Sequence, residues 1–113
     1  MRIEVSDVGE SVRKVALVGR LDTSGVLGIE TSFVTALVPH GKHAVVDLSK
    51  VEFIGSMGLR MFISVARTMR DKQMKLVFYA PQPLVNNVLE TAAFARIAPV
   101  CADAAQAVAA TQA

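Results

Sequence analysis

The sequence predicts a single α/β domain spanning residues 1–113. Its opening segments alternate apolar and polar residues as the strands of a β-hairpin do. Beyond the hairpin, short β-branched runs alternate with segments of helical periodicity, which is typical of parallel strands joined by crossover helices. No linker or internal repeat divides the chain. We therefore expect a compact mixed sheet of four to five strands with about four helices, in the order β-β-α-β-α-β-α-β-α.

The first third of the chain supplies the hairpin and one helix. Residues 3–8 and 13–18 alternate in polarity and are joined by a glycine-containing turn. The segment 19–22 breaks this pattern, and residues 22–24 all have side chains that can cap a helix. Apolar residues then recur at helical spacing until Pro39 ends the helix. They are Val26, Ile29, Phe33 and Leu37.

The rest of the chain continues the alternation. Val45 to Leu48 form a run suited to a buried strand, and a second apolar run at residues 51–54 leads into a turn. Further strands are expected at 74–79 and 97–101. Asp103 can cap a final alanine-rich helix that reaches about residue 110. The helix that Pro81 and Pro83 open is expected to hold Leu84, Val85, Val88 and Leu89 on its inner face.

The second helix is predicted to start at Gly55 and Ser56. Ser56 is a good N-cap because its hydroxyl can accept a hydrogen bond from a backbone N–H one turn inside, and Gly55 allows a sharp turn. At 100° per residue, the expected core face holds Leu59, Phe62, Ile63, Ala66 and Met69. The opposite face holds Met57, Arg60, Met61, Ser64 and Thr68. Two methionines flanking an arginine on the solvent side indicate a contact surface.

Composition excludes several classes of function. Twelve basic residues against ten acidic ones give a net charge of only +2, and no Lys/Arg cluster is interleaved with aromatic residues, so nucleic-acid binding is not expected. No apolar run approaches the ~18 residues of a membrane span, which argues against direct membrane insertion. The first residues lack the apolar core of a signal peptide. Cys101 is the only cysteine and is expected to be a small buried hydrophobe, so the predicted location is cytoplasmic.

Candidate catalytic and metal-binding groups are weak. His40 and His43 occupy a polar loop without a carboxylate or cysteine at ligand spacing, which favours solvated side chains. Asp47 is expected to hydrogen-bond within a turn and Glu52 to face solvent, rather than to work as paired carboxylates. The sequence contains no Ser-His-Asp set and no phosphate-cradling glycine loop. We therefore expect no enzymatic activity, and no cofactor is implied.

A motif in the central stretch resembles a known family. Residues 47–59 run D-L-S-K-V-E-F-I-G-S-M-G-L, and residues 19–22 run G-R-L-D. Both segments are similar to the STAS domain of bacterial anti-sigma factor antagonists, in which a D-L-S-x-V-x-F-I-D-S-S/T-G-L pattern joins the third strand to the second helix. The resemblance spans nearly the whole chain. It implies that residues 1–113 form one STAS domain.

The resemblance also implies a phosphorylation-controlled, partner-switching role in signal transduction and transcription regulation. The unmodified protein would bind an anti-sigma factor serine kinase of the histidine-kinase-like ATPase fold. Phosphorylation of Ser56 would release the kinase, and a PP2C-type serine phosphatase would reset the protein. The partner-binding residues would be those around the acceptor, namely Gly55, Met57, Gly58, Arg60 and Met61.

The chain departs from the family pattern beside the acceptor. Gly55 replaces the aspartate of the pattern, and Met57 replaces its second hydroxyl residue, which leaves Ser56 as the only acceptor in the turn. Near the third helix, residues 92–94 run A-A-F where a small-Gly-Leu run is common in the family.

Other interpretations of the same residues stay open at this level. Ser56 could be only a structural cap, and Gly58 only a close-packing residue. A STAS subunit of a larger assembly, such as a lipid or anion transporter complex, would never be phosphorylated. Arg60 lies one turn after Ser56, where a cation gains nothing from the helix dipole, so it either contacts an acidic partner or is a solvated surface residue.

Overall fold

A computed structural model describes residues 1–112 and confirms the expected α/β fold and element order. Five strands form one sheet in the spatial order β1-β2-β3-β4-β5, with β1 antiparallel to β2 and the other neighbours parallel. The strands are β1 Arg2–Val8, β2 Val12–Leu21, β3 His43–Ile54, β4 Leu76–Tyr79 and β5 Val100–Cys101. The helices are α1 Thr23–Leu37, α2 Ser56–Asp71, α3 Pro83–Thr91 and α4 Ala104–Thr111, with a 3-10 turn at Phe94–Arg96.

The sheet carries a separate hydrophobic cluster on each face. Helices α1, α2 and α3 pack on one face, and four fully buried phenylalanines from α1, α2, β4 and the 3-10 turn meet in its centre with ring centroids 4.7 to 6.2 Å apart. They are Phe33, Phe62, Phe78 and Phe94. On the other face, Ala107 of α4 packs against valines of β2, β3 and β4. Helix α2 therefore lies over a dense aromatic core.

Strand β3 is one twelve-residue strand, not the two short apolar runs that the sequence suggested. Its pairing with β2 shifts register between Ala16↔Asp47 and Val18↔Lys50, so β3 contains a bulge. The carboxylate of Asp47 accepts a hydrogen bond from the N–H of Ser49 at 2.9 Å, and the amide of Gln82 donates to the carbonyl of Ser49 at 2.9 Å. The predicted Asp47 contact exists, but it stabilises a bulge instead of a turn.

The starts of α1 and α4 agree with the capping residues predicted from the sequence. Asp22 caps α1 by accepting from the N–H of Gly25 at 2.8 Å, and Asp103 caps α4 by accepting from the N–H of Gln106 at 2.9 Å. Strand β2, however, extends to Leu21, so segment 19–22 does not interrupt it as expected.

The predicted inner face of α3 is partly wrong. Val85 and Leu89 are buried, but Leu84 is 60% exposed. At 100° per residue the four predicted positions span an arc of about 140°, and α3 buries the half of that arc that holds Val85 and Leu89, which leaves Leu84 at its open edge. Cys101 is partly buried against the second cluster, close to its expected environment.

The aromatic core predicts a contrast in stability between two positions of α2. Phe62→Ala removes a fully buried ring that contacts three other rings, so we expect it to lower the free energy of unfolding by about 3 to 5 kcal/mol. Ser56→Ala removes an exposed hydroxyl, and its effect should stay within about 0.5 kcal/mol. Urea denaturation measures both. Equal midpoint shifts for the two variants would contradict the packing described.

Candidate functional site

Helix α2, which follows the turn after β3, begins one residue earlier than the sequence predicted. Gly55 is the N-cap, with φ −99° and ψ −175°, and Ser56 is the first helical residue with an exposed side chain. The carbonyl of Gly55 accepts from the N–H of Leu59 at 3.1 Å, and the N–H of Gly55 donates to the carbonyl of Leu21 at 2.9 Å. Because glycine has no side chain, α2 has no side-chain cap. The hydroxyl of Ser56 therefore has no capping role.

Gly58 packs against the end of β2 and is buried. A Cβ atom at this position would lie 3.0 Å from Leu21 Cβ, 3.0 Å from Ile54 Cγ1 and 3.2 Å from the Leu21 carbonyl oxygen. The first turn of α2 can approach β2 this closely only because Gly58 has no side chain. Gly58 is therefore a close-packing residue covered by the protein itself, which is the alternative that the sequence left open.

Met61 is also placed differently from the prediction. Its side chain is 3% exposed and belongs to the hydrophobic core, whereas Leu59 and Ile63 lie at the border of the core. The buried face of α2 is thus rotated by roughly 70° from the predicted one, at 100° per residue. It holds Gly58, Met61, Phe62, Val65, Ala66 and Met69. The prediction that Met61 lies on the exposed face of α2 is wrong, because its side chain packs in the core.

Four of the predicted site residues do share an accessible region at the start of α2. Ser56 and Arg60 are exposed, four residues apart, and therefore on the same side of the helix. Met57 is partly buried and packs against the core, and Gly55 is partly accessible at the turn. The accessible surface consists of one hydroxyl, one guanidinium and little apolar area from α2 itself.

Part of the apolar surface at the site comes from α3, which sequence reasoning missed. A groove of about 410 Å³ runs between the start of α2 and α3, and its lining side chains are uncharged. They belong to Ile54, Gly55, Ser56, Leu59, Leu84, Asn87, Val88, Thr91 and Ala92. Leu84 stands exposed beside it. The sequence signal that could have identified this apolar surface was the excess of apolar residues in the short helix α3.

The end of β2 lies beside the turn that precedes Ser56. The guanidinium of Arg20 lies over the ring of Phe53, 4.7 Å from its centroid. A Cβ atom at Gly55 would lie 3.4 Å from Cε2 of the same ring. Arg20 also lies 3.8 Å from the carboxylate of Asp22, and both side chains are about half exposed. A cation is therefore present next to the turn that carries Ser56.

The other titratable candidates have ordinary structural contacts. His43 is the first residue of β3, not a loop residue, and its Nδ1 accepts from the N–H of Lys75 at 2.9 Å. His40 Nε2 lies 3.0 Å from the carbonyl of Thr35. Glu52 is exposed, as predicted. Within residues 1–112, no group of three His, Cys, Asp or Glu side chains could hold a metal ion.

Asp47 is part of a small polar contact on the sheet face that carries α4. Its carboxylate lies 4.0 Å from Nζ of Lys14. Burial raises the pKa of the neighbouring Tyr79 hydroxyl, and the negative charge of Asp47 raises it further. None of the helices in the described part of the chain has the length and hydropathy that crossing a bilayer requires.

Comparison with known proteins gives the same family as the motif. Residues 5–107 match the model of the STAS domain. The chain belongs to the STAS domain family. Over 84 residues it is 31% identical to BtrV of Bordetella bronchiseptica, which is named as a candidate anti-sigma factor antagonist, and the match covers 74% of this chain and 72% of that protein.

Solved structures of other STAS proteins share the fold. An anti-sigma factor antagonist from Mycobacterium paratuberculosis superposes with a TM-score of 0.88 at 22% identity, covering 99% of this chain and 94% of the other. SpoIIAA in its unphosphorylated form gives a TM-score of 0.79 at 17% identity, covering 98% of this chain and 96% of the other. The phosphorylated form of Bacillus SpoIIAA gives 0.71 at 17% identity, covering 95% and 96%. These likenesses confirm the STAS fold.

The corrected faces of α2 predict opposite results for the same substitution at adjacent positions of this STAS domain. Met61→Glu places a carboxylate in the core, so we expect a loss of at least about 3 kcal/mol of unfolding free energy. Arg60→Glu changes an exposed side chain near a helix N-terminus and should stay within about 0.5 kcal/mol. Thermal and urea denaturation distinguish the two. A stable Met61→Glu variant would instead support the orientation of α2 predicted from the sequence, in which Met61 is exposed.

Proposed function

We propose that this STAS protein is an anti-sigma factor antagonist whose binding to a partner is controlled by phosphorylation of Ser56. The observation that carries the proposal is the exposed Ser56 hydroxyl, which makes no capping bond and lies at the edge of an uncharged groove. The relative named as a candidate anti-sigma factor antagonist supports the general role. The proposed location is the cytoplasm of a bacterium.

The proposed cycle has two partners. The unmodified protein binds an anti-sigma factor serine kinase of the histidine-kinase-like ATPase fold. The Ser56 oxygen attacks the γ-phosphorus of ATP, its proton passes to a base on the kinase, and ADP leaves. A PP2C-type serine phosphatase then hydrolyses the phosphoserine with water, which returns serine and inorganic phosphate.

The location of Ser56 makes a phosphate tolerable for the fold. The first turn of α2 contains no acidic residue and no side-chain cap, so its free N–H groups can donate hydrogen bonds to a nearby negative group. The side chain points to solvent, so no packing has to change. Phosphorylation should therefore leave the fold intact.

The partner surface should respond strongly to the same phosphate. About −1.5 to −2 charges with their hydration shell would appear at the edge of the groove, whose lining carries no charge to compensate them. An apolar partner segment in the groove, or an acidic one beside Arg60, would then lose affinity. A loss of about 2.7 kcal/mol corresponds to a hundredfold weaker complex.

The proposed partner surface differs from the one expected from sequence. The proposed surface still includes Ser56, Gly55, Met57 and Arg60. Met61 and Gly58 are removed because they are buried. Leu84 is added because it is 60% exposed at the opposite wall of the groove.

Phosphorylation at one residue tests the proposal. The tagged protein is used to purify its kinase, and the purified pair is incubated with Mg-ATP and analysed by mass spectrometry. We expect one phosphate, at Ser56, and none on Ser56→Ala. Ser64→Ala is the matched control, because Ser64 is exposed two turns further along α2, and it should be phosphorylated like the wild type.

Two results together would reject the phosphorylation switch. One is the absence of phosphate after kinase treatment, and the other is a Ser56→Asp variant that binds the partner as tightly as the wild type. Copurification with a membrane ATPase complex instead of a soluble kinase would favour the alternative of an unphosphorylated STAS subunit.

The glycine before the acceptor gives a second test. The backbone of Gly55 is in the extended region, and the nearest neighbours of a Cβ there would be the Phe53 ring at 3.4 Å and the Leu21 carbonyl oxygen at 3.7 Å, which are ordinary contact distances, so Gly55→Asp should fold normally. An aspartate N-cap should raise stability by a few tenths of a kcal/mol, and because the family pattern has aspartate here, we expect phosphorylation by the kinase to be at least as fast. Denaturation and initial rates measure the two effects. Loss of phosphorylation in Gly55→Asp would show that the glycine is required.

A further inference from the structure

Two arginines from different elements of the fold lie near the start of α2, where Ser56 is found. Arg60 follows Ser56 by four residues on α2, and Arg20 lies at the end of β2, beside the turn that precedes Ser56. We propose that these two guanidinium groups bind the phosphate of phosphorylated Ser56 within the same molecule. The inference rests on the proposed phosphorylation of Ser56 and states how the modification acts.

Arg60 is available to a phosphate on Ser56 by helix geometry. Residues four apart on an α-helix have their Cβ atoms about 6 Å apart, which an arginine and a phosphoserine side chain easily span. Both residues are exposed, and within residues 1–112 Arg60 makes no salt bridge. A cation in this position gains nothing from the helix dipole, so no other interaction within the described structure accounts for it.

Arg20 is held next to the same turn by Phe53. Its guanidinium covers the ring face, and the ring edge adjoins the position of a Gly55 side chain. Because Gly55 has no side chain, the ring edge is not covered by a side chain from position 55. The one ion pair of Arg20, with Asp22, is 3.8 Å long and half exposed, so a dianionic phosphate can compete for it.

The proposal changes how the modification would release a partner. A phosphate that only added negative charge would repel acidic or apolar groups. A phosphate bound by Arg60 and Arg20 would also withdraw two cations from the partner surface, so an acidic partner would lose its attractive contacts at the same time.

The titration of the phosphate measures the contact without any partner. Phosphoserine is incorporated at position 56 during synthesis, and the second pKa of its phosphate is followed by phosphorus NMR. Its ordinary value is about 6. Neighbouring guanidinium groups favour the dianion, so the midpoint in the folded protein should be lower than in urea-unfolded protein, by about 0.5 unit or more.

Charge-matched variants identify the arginines responsible. Arg60→Gln and Arg20→Gln should each raise the midpoint, and the double variant should raise it furthest. Arg67→Gln removes the same unit charge from an exposed position eleven residues beyond Ser56, about 16 Å along α2, and should leave the midpoint unchanged. A double variant with the same midpoint as Arg67→Gln would overturn the proposal. Because no kinase takes part, that result would leave the proposed function standing, whereas failure of the kinase assay would not affect this measurement.

Discussion

The contact between the end of β2 and the first turn of α2 is the constraint on which the site depends. The carbonyl of Leu21 accepts the N–H of Gly55 at 2.9 Å, and the absence of a side chain at Gly58 lets the helix lie directly on Leu21. The start of α2 is therefore fixed to the sheet by backbone contact. Ser56 lies between these two glycines, with its side chain exposed at this fixed helix start. A charge added to Ser56 would therefore change the surface and leave the packing of the fold unchanged.

The surroundings of Ser56 come from three parts of the chain because of the sheet topology. Strands β2, β3 and β4 are parallel neighbours, so the turns that follow them meet at one edge of the sheet. The end of β2 contributes Arg20, the helix after β3 begins with Ser56, and the helix after β4 contributes Leu84. The bulge in β3 is part of this arrangement, since it changes which side chains of the strand face the core before the turn is reached. The guanidinium of Arg20, the hydroxyl of Ser56 and the apolar side chain of Leu84 thus lie on one surface.

The sequence by itself determined the architecture and the position of the acceptor. Period-two and helical patterns determined the order of the elements, because each strand or helix has one apolar face to bury. Asp22 and Asp103 identified two helix starts, since a carboxylate before an apolar helical run satisfies free N–H groups. The motif at 47–59 identified the family and placed Ser56 at the start of α2.

Only the tertiary structure decided which of these residues a partner can reach. Helical periodicity identifies an apolar arc on α2 but does not fix how far the helix is rotated about its own axis. Met61 is buried because α2 packs between its neighbours in one particular orientation. Leu84 became accessible because α3 buries one side only, and Arg20 reached the site because parallel strands place their ends together. Local sequence determines what each element is. Which side it shows to solvent depends on contacts between residues far apart in the chain, and these form only when the sheet and its helices pack.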